Sequence, residues 1–77
     1  MAGDRDSNTA AADAYRSACA ASRAARAAEQ DALGAFQLAR PDTRAAAMVT
    51  YEAAHRVYQE ASRNAAAVSL AERQLAA

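Results

Sequence analysis

The segment YEAAHRVYQE, residues 51–60, carries the chain's single histidine. Glu52 and His55 stand three positions apart, so a helix presents them one turn apart on one face. A carboxylate and an imidazole so placed are oxygen and nitrogen ligands for a divalent metal. Glu29, in the first half of the chain, could join them. If the two halves fold back on each other at about residues 40–41, Glu29 lies level with Glu52. On a heptad, Glu29 and His55 are both e positions, and the e positions of antiparallel helices flank the seam on the same side. Glu29, Glu52 and His55 are therefore the candidate metal-ligating residues. The same charges also have a solvated explanation, because Glu52 and Arg56 form an i,i+4 pair and Arg26 and Glu29 an i,i+3 pair.

One Glu on a helix facing an E-x-x-H on the next resembles the half-site of ferritin-like di-iron carboxylate proteins, which repeat the unit twice in a four-helix core. The resemblance covers these three residues and not the chain. It implies iron or another divalent metal as cofactor, and a second hairpin to complete the site. Without it the sequence implies no cofactor. A comparison with small secreted hairpins of the WXG100 type rests on length and topology alone. Their W-x-G at the turn is missing, with LGAF at residues 33–36 in that region, and no tyrosine is followed four positions later by an acidic residue.

Other chemistry is thinly provided for. Cys19 is the only cysteine, so no disulfide can form within the chain, and it lies about two turns from the expected level of His55. Ser17, Ser22, Ser62 and Ser69 have no base beside them, and there is no phosphate loop. A non-enzymatic protein is expected. Arg16 and Arg23, and likewise Arg56 and Arg63, repeat at seven-residue spacing, which makes a small RNA- or DNA-binding hairpin a third reading. Glu60 interrupts one stripe, Asp13 precedes the other, and nine arginines balance nine carboxylates. Long-range attraction to nucleic acid or to acidic lipid is thus not built in. The start MAGDRDSN has no apolar stretch behind it, and with one thiol this gives a cytoplasmic expectation. Heavy use of Ala, Arg and Asp, with no Lys or Ile, fits a high-GC bacterial or phage genome.

The elements that must position these residues are helices. Of 77 residues, 27 are alanine. Residues 1–8 are expected to be a disordered tail, with Asn8 or Thr9 capping a helix that runs to about residue 39. Gly34 weakens that helix without stopping it, and Pro41 does stop it. A turn at about 40–41 and a second helix at about 42–76, with Asp42 in its first turn, complete the single domain. The fold expected is all-α: an antiparallel two-helix hairpin with an Ala-rich coiled-coil seam.

The seam follows from counting. Ala11, Ala14, Ala18, Ala21, Ala25, Ala28, Ala32, Ala35 and Ala39 alternate at spacings of three and four. On the second helix Ala47, Tyr51, Ala54, Tyr58, Ala61, Ala65, Val68 and Leu75 do the same, with Glu72 breaking the row. Ala28 is then expected near Ala54, and Ala35 near Ala47. Alanine lets helices approach near the low end of the usual spacing of roughly 8–10 Å, but removes little apolar area. A lone hairpin of this kind is marginal against its chain entropy. Larger apolar groups gather toward the turn, including Val49. Tyr15, Leu33, Phe36, Leu38, Met48, Tyr51 and Tyr58 are the candidate interface residues. The expectation is a four-helix bundle or larger helical oligomer, acting by self-assembly or as an adaptor or inhibitor of an unidentified protein partner.

Overall fold

A computed structural model describes the backbone of residues 2–76 and the side chains of residues 9–75. Two helices, α1 (Ala2–Leu38) and α2 (Arg44–Ala76), pack antiparallel, with no strand among the described residues. Alanine, arginine, glutamine and glutamate are strong helix formers, and no proline interrupts either segment. Helical backbone begins at Ala2 rather than at a cap on Asn8 or Thr9, so it occupies residues 2–8, where a tail was expected. That segment lacks proline, and Asp4 and Asp6 are the residue type a helix N-terminus favours. Met1 lies outside the described residues. No described helix is long and apolar enough to cross a membrane.

The connection is longer than the sequence suggested. Ala39 N–H donates to the Phe36 carbonyl at 3.2 Å, tightening the end of α1. Arg40, Pro41, Asp42 and Thr43 then form a turn in which Thr43 N–H donates to the Arg40 carbonyl at 3.0 Å. Pro41 sits at the second position of that turn, where its fixed φ is already correct. The Thr43 hydroxyl donates to the same carbonyl at 3.3 Å. Ala47 N–H donates to the Thr43 carbonyl at 3.1 Å, which makes Thr43 the residue that starts α2. Asp42 therefore belongs to the turn and not to the helix, correcting the expected start of α2. The added residues shift the levels across the hairpin by about three positions. Glu29 faces His55 instead of Glu52, and Arg26 faces Tyr58.

The seam on α2 lies where expected as far as Val68. Ala47, Tyr51, Ala54, Tyr58, Ala61, Ala65 and Val68 are all partly shielded, and Glu72 continues the row while Leu75 is exposed. On α1 only one of the two alanine rows faces inward. Ala18 and Ala25 are the buried residues, with Ala11, Ala32 and Ala39 partly shielded in line with them. Ala14, Ala21, Ala28 and Ala35 are exposed, which corrects the expected place of Ala21 and Ala28 in the seam. Their positions are taken by Tyr15, Ser22, Glu29 and Phe36. Each lies one residue further on, so α1 is turned by about 50° from the expected orientation. Tyr15 and Phe36 explain the turn, because an aromatic ring removes far more apolar surface from water than the alanine it displaces.

The packed volume that results is small. The hairpin measures 62 × 13 × 12 Å, with a radius of gyration of 17.5 Å. A compact chain of this length would have a radius of gyration of roughly 11 Å. Its accessible surface is 5717 Å², against roughly 4,500 Å² for a compact monomer of the same mass. Leu38, Met48, Val49, Val57, Leu70 and Leu75 all remain exposed.

Gly34 has no positive φ, and a Cβ at that position would meet nothing within 4 Å. Its only effect on α1 is the backbone entropy it adds to the unfolded chain. Gly34→Ala is expected to stabilise the protein by about 0.5–1 kcal/mol, read as a higher urea midpoint. A lower midpoint would mean that another surface covers this position.

Candidate functional site

The polar residues that converge do so on one flank of the hairpin. Glu29 is on the seam side of α1, between the Ala25 and Ala32 levels, with its side chain 13% exposed. His55 Nδ1–H donates to Glu29 Oε2 at 2.6 Å, and the imidazole is 44% exposed. Tyr51, one turn earlier on α2, stacks on the imidazole with ring centroids 5.9 Å apart and planes 20° from parallel. A carboxylate in an alanine-rich seam thus has one charge-capable partner, held in place by an aromatic neighbour.

Glu52 does not join them. It is exposed on the outer side of α2, because the longer turn brings His55 rather than Glu52 to the Glu29 level. Of the three candidate metal ligands the hairpin unites two, and among the described residues no group of three or more His, Cys, Asp and Glu is placed to hold a metal ion. The two ion pairs among the described residues are Asp13–Arg16 and Glu29–His55. The anticipated Glu52–Arg56 and Arg26–Glu29 pairs are not formed.

Arg26 turns to α2 instead. Its guanidinium lies 5.3 Å from the Tyr58 ring centroid, and its Nη1–H donates to the Tyr58 hydroxyl at 3.3 Å. Arg44 covers Phe36 in the same manner, at 5.8 Å. Beside the first of these contacts is a shallow open groove of about 300 Å³, bordered by Ser22, Arg23, Arg26, Ala27, Gln30 and Tyr58. Neither arginine–aromatic contact was visible before the true register was known. A three-position shift of the two helices would have shown the first.

Tyr15 and Cys19 make a third cluster on this flank. The phenol is held above its ordinary value of 10.0, first by hydrogen bonding to the Cys19 side chain and by the thiolate charge there. Burial and the Glu72 carboxylate add to the rise, and Arg73 opposes it. Tyr15 is therefore a neutral hydroxyl at physiological pH. Cys19 lies ten residues along α1 from the Glu29–His55 pair, on the order of 15 Å, and is further from the imidazole than the sequence implied.

The proposed interface residues divide. Tyr15, Leu33, Phe36, Tyr51 and Tyr58 are half-buried within the hairpin itself. Leu38, at 87% exposure, and Met48, at 39%, face solvent at the turn end. The chain matches no protein-family model, no curated protein and no solved structure.

Removal of the imidazole should leave the shielded Glu29 carboxylate without its partner. His55→Ala is expected to cost about 1 kcal/mol in urea denaturation, and Glu29→Ala in the same chain should recover most of it. Glu52→Ala should change stability by less than about 0.5 kcal/mol. Equal losses for Glu52→Ala and His55→Ala would contradict the pairing.

Proposed function

We propose that this chain is a small non-enzymatic helical protein that acts through protein–protein contact, and in the first instance through contact with its own copies. The observation that carries the proposal is the shortage of interior: among the described residues Ala18 and Ala25 are the buried hydrophobic ones, and no large side chain there is fully buried. Single chains of this size normally need a metal, disulfides or oligomerisation to offset chain entropy. Cys19 is a lone free thiol, and the described residues hold no three-ligand cluster, which supports oligomerisation as the route taken here. The exposed Val, Leu and Met side chains are surface that such contact would cover.

The layout supports the non-enzymatic part of this reading. The Glu29–His55 pair has no thiol within reach, and the neighbouring groove is shallow and open. An enzyme site of ordinary depth is not formed by one hairpin.

Sedimentation equilibrium of the untagged full chain at micromolar concentration tests the proposal. A mass at least twice the 8.0 kDa of one chain is expected. A folded species with the mass of one chain would contradict self-association.

A further inference from the structure

Apart from Ala27, the groove beside the Arg26–Tyr58 contact is bordered by side chains that can donate hydrogen bonds. Ser22 and Tyr58 bring hydroxyls, Gln30 an amide, and Arg23 and Arg26 guanidinium groups. No carboxylate borders it. Arg23 and Arg26 stand three residues apart on α1, so two like charges lie one turn apart, which weakens a helix slightly. Neither is in an ion pair among the described residues, where the pairs are Asp13–Arg16 and Glu29–His55. Glu29 is the carboxylate that local spacing would offer Arg26, and His55 holds it. Arg26 is also fixed in place. Its guanidinium lies 5.3 Å from the Tyr58 ring centroid and gives one N–H to the Tyr58 hydroxyl. Its other N–H groups are left over, and the Tyr58 hydroxyl keeps its own proton to donate.

We infer that this groove binds a phosphate group, as inorganic phosphate or as the head of a small phosphate monoester. Two guanidinium groups with no carboxylate between them call for an anion of more than one charge. At neutral pH a phosphate monoester carries close to two charges and three strong acceptor oxygens. A carboxylate brings one charge, and would leave the second arginine and the hydroxyls unused. The flat guanidinium fork also matches phosphate oxygens in a two-pronged contact. The groove holds about 300 Å³, at the low end of the roughly 300–1,000 Å³ of small-molecule sites, so its occupant is small. Because the groove is open, binding comes from charge-assisted hydrogen bonds and not from burial, and it should weaken as salt is added. The site is complete within one chain and does not depend on self-association.

The test titrates the full-length chain with inorganic phosphate and, separately, with phenyl phosphate, in chloride buffer of constant ionic strength at neutral pH. Backbone amide and arginine Nε–H resonances are followed by NMR. Saturable shifts centred on residues 22–30 and on Tyr58 are expected. Arg23→Gln should raise the dissociation constant by at least about tenfold. Gln30→Ala should raise it by about threefold. Both positions are exposed, and glutamine and alanine are good helix formers, so circular dichroism should not change. Arg56→Gln removes the same charge from an exposed position of α2 that does not border the groove, and should leave binding as it was. Tighter binding of phenyl phosphate marks a monoester as the occupant, and equal or weaker binding marks the free anion. Shifts that grow with phosphate without saturating overturn the site. So does an equal loss for Arg23→Gln and Arg56→Gln, which is what general charge attraction produces.

Discussion

The structure depends on how closely two helices approach across a seam in which every second inward position of α1 is alanine. A methyl group allows backbones to come near, but it takes little surface out of water. The stabilisation of the pair therefore falls on the residues alternating with the alanines. Tyr15 and Phe36 on α1 and Tyr51 and Tyr58 on α2 provide the bulk, and two of these four rings also lie under an arginine. Even so, among the described residues Ala18 and Ala25 are the ones that become buried. A seam made this way holds a shape more readily than it holds a fold together.

Register across the seam is set from two places. At the turn, Arg40–Thr43 closes on the Arg40 carbonyl and fixes where α2 begins. In the middle, the Glu29–His55 hydrogen bond gives one level of the seam a partner that no shifted register would supply. Alanine rows tolerate sliding, because one alanine resembles the next, and a polar pair among them does not. The imidazole and carboxylate that suggested metal chemistry in the sequence thus have a structural role in the hairpin, with Tyr51 steadying the ring.

The two-helix architecture was legible because Pro41 is the only proline and the 3/4 spacing of apolar residues runs through both halves. The orientation of α1 was not. With alanine at every a and d position, two neighbouring seams are nearly equivalent in pattern, and the choice fell to aromatic residues one position away. The site was misplaced for a related reason. A turn lengthened by two residues is invisible to periodicity, but it moved Glu52 away from Glu29 and brought His55 in. Arg26 was read as an ion-pair partner of Glu29 from local spacing, whereas an aromatic ring across the seam was the better contact for its guanidinium.

The outcome is an elongated molecule with polar contacts of its own along one flank and several large apolar side chains left in water. Its surface is larger than a chain of this mass ordinarily leaves in water, and the deficit is what a second chain would make good. Thermal unfolding over a hundredfold range of protein concentration examines this most directly, because folding coupled to association makes the midpoint depend on concentration. The account predicts a midpoint that climbs steadily as the protein is concentrated. A midpoint that stays fixed across the range, with a single cooperative transition, would contradict it.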